Sequence, residues 1–317
     1  MKKIKAILIG LGNIGFSCDL NKAKTFYSHS KVLNKLDFID FVCGVDKDKK
    51  KLLEFKKIYK IDTSSNLEKS ILMHEPNLIV VSVNTSNLFS ILKKIAKHKL
   101  VQNVLVEKPG CANYQNLKEV IKIYKEKNIN LFINYNRSYN QNIRKMFKKI
   151  KSNDYFKSVY FYNRGLLNNC SHFLNLIFLY LDLPKKITII NKGKQFKRDI
   201  QPDIKLQFNN GEIFFISNNN KDIIHNEFLL TNKKFKINSN VDFTELKKYK
   251  IIKNNLIKNN KSYLFESSYK IDKKKYQTNV YREILRLKNH KLINNIAKSS
   301  LKVLYFYNKL ITNYRRI

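Results

Sequence analysis

Ile4-Lys5-Ala6-Ile7-Leu8-Ile9-Gly10-Leu11-Gly12-Asn13-Ile14-Gly15 is the stretch on which the fold turns. A short apolar run ends at a glycine, as a strand buried in a parallel sheet does. The glycines then recur as G-x-G-x-x-G, and the pattern predicts a helix opening at the last of them. The first glycine of such a turn permits a tight reversal. The second lets the backbone approach a pyrophosphate, and the third lets helix and strand pack closely. The free N–H groups at the helix start then face the phosphates. The chain has eight glycines, and three stand at these spacings. A βα turn without ligand is the bland alternative, and other nucleotides use the same loop.

Apolar runs of strand length follow at Phe38 to Val45, Asn77 to Val83, Asn103 to Val106 and Ile129 to Asn134. Between them lie stretches of helical period at Lys50 to Tyr59, Leu88 to His98 and Asn116 to Lys127. This alternation predicts a doubly wound parallel sheet, an α/β Rossmann domain over residues 1–136. The second run ends at Asp46. An acid there can accept from the adenosine ribose hydroxyls, which favours NAD over NADP. Lys47 keeps NADP open, and a solvated strand-end acid is the alternative reading. The gap from Gly15 to Asp46 exceeds the usual ~20 residues, so an insertion over Asp19 to Lys31 is expected.

Beyond residue 137 the texture changes. A helix is predicted at Gln141 to Ser152. Strands are predicted at Lys157 to Asn163, Lys186 to Asn191, Ile204 to Phe208, Glu212 to Ser217 and Glu227 to Thr231. Asn209-Asn210-Gly211 is a hairpin signal. An apolar helix, Asn168 to Tyr180, stops before Pro184. Residues 137–317 therefore read as a substrate-binding and oligomerisation domain, α/β with an open, mostly antiparallel sheet. The basic helical stretch Val280 to Tyr314 fits a membrane-surface helix. Val303, Phe306, Tyr307, Leu310 and Tyr314 form an apolar stripe, however, which favours packing on the body.

Hydrophobic residues make up 43% of the 317-residue chain and aromatic residues 12%, enough for a true core. The net charge of +38 raises the prospect of nucleic acid, an anionic membrane or an anionic substrate. The cations are spread along the whole chain, so no specific nucleic-acid partner is expected. Cys18, Cys43, Cys111 and Cys170 show neither metal nor disulfide spacing, and no metal is expected. Phe173 to Leu183 is too short to span a bilayer, and no signal peptide is read at the N-terminus. A cytoplasmic protein with reduced thiols is the expectation.

The chain resembles the glucose–fructose oxidoreductase, inositol dehydrogenase and rhizopine-catabolism family (Gfo/Idh/MocA). The resemblance rests on Gly10-x-Gly12-x-x-Gly15, Gly44-Val45-Asp46, Glu107-Lys108-Pro109, Tyr135-Asn136-Arg137 and a helix bearing His172. It implies an NAD(P)-dependent oxidoreductase acting at a secondary alcohol or ketone of a sugar or nucleotide sugar. Gly10, Gly12, Asn13, Ile14, Gly15, Asp46, Asn84 and Glu107 are implied for the cofactor, Lys108 and His172 for catalysis, and Asn168 and Arg137 for the substrate. A homo-oligomer is expected. Lys108 ends a parallel strand, where α/β sheets bind ligands, and an ammonium there can polarise a carbonyl. His172 can serve as general base near neutral pH.

Three departures qualify the resemblance. Asn168 stands where the family often carries an acid four residues before the histidine, and an amide cannot take up a proton. The loop Asn84-Thr85-Ser86-Asn87 lacks the family's common proline, and Phe89 replaces a frequent histidine. Ser28-His29-Ser30 resembles a Thr-His-Ala stretch of a subset associated with surface-polysaccharide sugar pathways. His29 is thereby a candidate for the site mouth. The Asn168 departure leaves a second function open, that of a non-catalytic dinucleotide-binding protein which kept the fold.

Overall fold

The apolar run Ile4–Ile9 forms the strand β1, with its last four residues buried. The computed structural model describes residues 3–22, 24–151, 154–197, 199–220, 222–253, 261–286 and 290–316. From β1 the chain passes through α1 (His29–Lys35), β2 (Ile39–Val45), α2 (Lys49–Tyr59), β3 (Asp62–Ser64), α3 (Leu67–His74) and β4 (Leu78–Val81). Then follow α4 (Thr85–Ile95), β5 (Asn103–Val106), α5 (Tyr114–Glu126) and β6 (Asn130–Ile133). The six strands pair in parallel in the order β3-β2-β1-β4-β5-β6. All four residues of β4 are buried, as a central parallel strand covered by helices requires. Side-chain oxygens of Asp48, Asn66 and Asn113 cap α2, α3 and α5. Gly44 in β2 makes room for the Phe55 ring, whose Cε1 would stand 2.6 Å from a Cβ there.

The second sheet follows α6 (Gln141–Lys148). It comprises β7 (Phe156–Tyr162), β8 (Lys186–Asn191), β9 (Asp203–Phe208), β10 (Gly211–Ser217), β11 (Asn226–Asn232), β12 (Phe235–Ser239), β13 (Glu245–Lys253) and β14 (Lys261–Lys270). Between β7 and β8 runs α7 (Ser171–Tyr180). The strand order is β14-β13-β12-β11-β7-β10-β9-β8, antiparallel throughout except for β7 with β10. Alternate residues of β7 point to a face covered by α6 and α7. Phe173 stacks on Tyr160 with ring centroids 3.9 Å apart, and Phe147 meets Phe228 at 5.2 Å. The Asn209-Asn210 turn joins β9 to β10, with Phe208 opposite Gly211.

The helices α8 (Tyr276–Arg286) and α9 (His290–Arg316) close the chain. The molecule divides into two compact units, Met1–Asn140 with Lys274–Leu304, and Gln141–Lys273 with Tyr305–Ile317. This differs from a cut at residue 137 that assigns everything beyond it to the second domain. Residues 274–304 return to the first unit because Val280, Tyr281 and Ile284 are buried there and Ser300 Oγ donates to Pro109 O at 2.9 Å. In the expected apolar stripe Val303, Phe306 and Leu310 are buried. Among the described residues no helix is long and apolar enough to cross a membrane. The helix expected at Gln141 to Ser152 gives way after Lys148 to a 3-10 turn, and Ser152 lies outside the described residues, as does the 287–289 part of Val280 to Tyr314.

Candidate functional site

The three loop glycines are glycine for different reasons. Gly10 has φ +92, and a Cβ on it would lie 2.3 Å from Ser82 O. A Cβ on Gly15 would lie 2.0 Å from Gly10 O. Both are fixed by the protein's own packing. A Cβ on Gly12 would meet nothing within 4 Å, so no part of the protein asks for glycine there. Among the described residues the amides of Gly12, Asn13, Ile14 and Gly15 find no acceptor. Asn13 is exposed and Ile14 is 43% exposed. Open space over a run of free amides fits an anionic ligand approached by backbone.

The helix expected to open at Gly15 is broken. One turn forms, with Phe16 N donating to Gly12 O and Cys18 N to Asn13 O, then a 3-10 turn at Ser17–Asp19, and the chain leaves. It returns at α1, where His29 N donates to Ile14 O (3.0 Å) and Ser30 N to Gly15 O (2.9 Å). In an unbroken helix those carbonyls would accept from Cys18 and Asp19, four residues on. His29 therefore stands eleven positions late. The separation of 31 residues from Gly15 to Asp46, less eleven, is 20, which matches the usual ~20. The expected insertion is thus a side excursion from one helix. Buried Asp19 closes it, its Oδ2 accepting from Tyr27 N (2.7 Å) and Ser28 N (3.1 Å); Ala23, within the insertion, lies outside the described residues.

Asp46 leaves β2 half-exposed. Its Oδ2 accepts from Leu11 N at 2.7 Å and its Oδ1 from Asp48 N at 3.0 Å. The carboxylate thus braces the glycine loop, and each oxygen keeps a further lone pair. Asn84 is exposed at the start of α4 and makes no side-chain cap bond.

At the end of β5, Gly110 N donates to Glu107 O at 3.0 Å, closing a turn that contains Lys108 and a cis Lys108–Pro109 bond. Lys108 is half-buried. Glu107 looks inward. Its Oε1 lies 2.9 Å from His29 Nε2 and accepts from Asn134 Nδ2 at 2.5 Å. Burial alone would raise its pKa. The hydrogen bond and charge of His29, the Asn134 donor and the Lys108 charge outweigh burial and hold it below the ordinary 4.5. His29 is 0% exposed, so it does not reach a site mouth. Its Nδ1 lies 2.7 Å from Tyr281 Oη and 2.9 Å from Gln277 Nε2. Arg137 is buried in the 3-10 turn Asn136–Tyr139.

In the second unit the stretch expected as one helix from Asn168 begins earlier and differently. Leu166–Cys170 winds as a π-helix before α7 takes over. Gly165, at φ +89, starts it, and a Cβ there would lie 2.2 Å from Asp199 Oδ2. The segment 199–201 takes up its amides. Leu166 N donates to Ile200 O (2.9 Å), Asn168 N to Asp199 Oδ2 (2.7 Å) and Gly165 N to Gln201 Oε1 (3.0 Å). Tyr307 Oη donates to Asp199 Oδ1 at 2.9 Å; burial, with the Asp199 charge, pushes the phenol pKa up. Asn168 is exposed, with Nδ2 donating to Arg164 O at 3.1 Å. His172 is half-buried with its Nδ1 inside. π-turns of this kind recur at functional sites.

Residues 4–135 match the model of the oxidoreductase family with an NAD-binding Rossmann fold, GFO_IDH_MocA. The chain carries the Rossmann domain of the Gfo/Idh/MocA oxidoreductases. The fold extends to solved structures over nearly the whole length. The dehydrogenase MviM from Clostridium difficile is similar with a TM-score of 0.69 and 18% identity, over 98% of this chain and 100% of that one. The UDP-N-acetylglucosamine 3-dehydrogenase GnnA from Acidithiobacillus ferrooxidans gives 0.67 and 11%, over 98% and 100%. An Agrobacterium radiobacter oxidoreductase in complex with NAD+, L-tartaric acid and magnesium gives 0.69 and 11%, over 97% and 95%. No curated protein matches the chain.

Against the Gfo/Idh/MocA pattern, the sequence brings out the loop glycines and the Glu107-Lys108-Pro109 turn but not what surrounds them. Gln277 and Tyr281 sit 248 and 252 positions from His29. Asp199 is 31 residues from Asn168 in an irregular segment. No local pattern points to either. Among the described residues no His, Cys, Asp and Glu cluster could hold a metal.

Proposed function

We propose that this chain is an NAD(H)-dependent oxidoreductase acting at a secondary alcohol or ketone of a sugar or nucleotide sugar. The observation that carries the reading is the open space at Gly12 beneath the free loop amides. Gly10, Gly12, Asn13, Ile14 and Gly15 would hold the pyrophosphate and Asp46 the ribose, with Asn84 and the Glu107 end of β5 flanking the cofactor. A carboxylate at Asp46 repels a 2′-phosphate, which supports NAD over NADP. The bound dinucleotide supplies or accepts the hydride.

The protein's own part is the proton and the developing charge. The Lys108 ammonium stabilises the substrate oxygen as it gains negative charge. The hydroxyl proton goes to His172 Nε2, since Nδ1 is buried. Asn168 and Arg137 position the sugar by hydrogen bonding. GnnA's nucleotide-sugar substrate, and the cationic charge of this chain, support a diphosphate-bearing substrate. Pairing of copies is proposed through the second sheet, where Leu229 and Ile190 are exposed on strands.

Asn168 favours one other reading. Its amide is turned onto Arg164 O, and a protein that binds the dinucleotide without turning over substrate would look the same there. NADH fluorescence titration of wild type and Gly12→Val, followed by a panel of sugars and nucleotide sugars, tests both. Equal NADH affinity in the two proteins overturns the cofactor site. Binding without turnover across the panel favours the second reading.

A further inference from the structure

In the second unit β7 ends at Tyr162, and the chain then takes a turn that side chains with a Cβ disfavour. Arg164 has φ +62, in the left-handed region, one residue before Gly165 at φ +89. Lys60 and Glu75 share that conformation, but as helix C-caps, where it is common. Arg164 instead precedes the π-helix that leads into α7. The turn is held from both sides. Buried Asn163 accepts from His225 N through Oδ1 (3.1 Å) and donates through Nδ2 to Asn220 O (3.0 Å) and Ile223 O. Asn169 Nδ2 donates to Asn163 O (2.9 Å), and Asn168 Nδ2 to Arg164 O (3.1 Å). A strained residue so firmly imposed points to function.

Backbone preference alone would put glycine or asparagine at position 164. The residue there is an arginine, in a chain whose 62 cations include only eight arginines. Arginine differs from lysine in its planar fork, which grips a carboxylate or a phosphate through two hydrogen bonds. The Arg164 residue is half-buried, and its guanidinium makes no hydrogen bond or ion pair with any described residue. An acid is close at hand, since Asp199 Oδ2 would stand 2.2 Å from a Cβ on Gly165. Its two oxygens hold Asn168 N and Tyr307 Oη instead.

We propose that Arg164 is a specificity residue: its guanidinium receives an oxyanion of the substrate, a carboxylate or a phosphate, while Asn168, whose amide rests on the Arg164 carbonyl, meets the sugar hydroxyls. The exposed lysines that dominate the net charge attract any anion weakly and without orientation. A half-buried fork is less screened and fixes the anion in one plane. The sugar rests on the function proposed above; the capture of an anion does not.

The test is calorimetric titration with UDP and with glucuronate, each with and without NADH, of wild type, Arg164→Asn, Arg164→Lys and Lys97→Asn. Asparagine tolerates the left-handed conformation, so Arg164→Asn should fold and melt at or above the wild-type temperature. It should bind at least one of the two anions about tenfold more weakly than wild type does, with NADH affinity unchanged. Arg164→Lys keeps the charge without the fork and should fall between the two. Lys97, exposed on the first unit, reports non-specific charge, and Lys97→Asn should bind both anions as wild type does. A loss with UDP alone assigns a phosphate, a loss with glucuronate alone a carboxylate, and a loss with both supports the shared chemistry. Three outcomes overturn the proposal: equal affinity for both anions in wild type and Arg164→Asn, no binding of either by wild type, or the same loss in Lys97→Asn. If Arg164→Asn does not fold, Arg164→Lys decides, since a weaker anion complex supports the fork and an unchanged one overturns it. If wild type takes up the anion but no NADH, the anion site stands and the oxidoreductase reading falls.

Discussion

Two helix starts in this molecule both begin at a glycine, and they treat their amides in opposite ways. Among the described residues the amides from Gly12 to Gly15 find no acceptor, and the Ile14 and Gly15 carbonyls are taken by a later piece of chain. After Gly165 the amides are already committed to Ile200 O, Asp199 Oδ2 and Gln201 Oε1. The first start is open to an anion from solution, while the second has its anion built in. A glycine before a helix therefore does not by itself mark a ligand site; what becomes of the first amides decides it.

The sharpest break of this contrast lies inside the first loop. Gly15→Val drives a side chain into Gly10 O and should abolish cooperative folding, whereas Gly12→Val should melt within a degree or two of wild type yet lose NADH binding, by thermal denaturation and titration. A destabilised Gly12→Val would mean that this loop, too, answers to the protein. Next in size is chemistry at the second start. His172→Ala should cost about 10²–10⁴ in turnover on an identified substrate, the range for a general base, with NADH affinity kept.

Removing the built-in anion should be gentler. Asp199→Ala takes away a helix cap and should cost about 1–2 kcal/mol in denaturant unfolding. Tyr307→Phe deletes only one donor to it and should cost about 1 kcal/mol. Asn168→Asp sets a second carboxylate beside Asp199 and gives up the donor to Arg164 O. It should lower the melting temperature at pH 7 by a few degrees, for about 1 kcal/mol. If turnover survives, the added charge should raise the pKa of a nearby His172 and move the acid limb of the pH–rate profile upward.

The smallest effect is at acid pH. The Glu107 carboxyl is held below its ordinary 4.5 in the folded state. Its contribution is complete above that ordinary value and is lost as pH falls through the lower folded one. Glu107→Gln should therefore show a flatter fall in stability below pH 4.5 than wild type, whatever its stability at neutral pH.

The parallel sheet was legible because strands buried on both faces must be apolar runs, as Leu78–Val81 is. The far edge of the second sheet was not. β13 reads Glu-Leu-Lys-Lys-Tyr-Lys-Ile-Ile-Lys, and β14 is exposed along nearly its whole length. Strands so exposed carry lysines that discourage further pairing, and they lose the alternation that announces a strand. β3, at three residues, is too short to carry a pattern. At the candidate site the loop glycines and Lys108 carry recognisable spacing, whereas Asp199, Gln277 and Tyr281 reach their places only through tertiary folding. His29 was visible in sequence but pointed the wrong way, because a local motif does not say which side of a helix faces the core.

The excursion after the glycine loop also alters what a sequence spacing means. Joining Phe16 directly to Ser28 would delete the eleven residues Ser17 to Tyr27 and put His29 where Cys18 stood, still donating to Ile14 O. The two helix segments are already in phase across the gap. Separation within a motif such as this one is measured along the ladder of hydrogen bonds, and the chain is free to wander between two rungs.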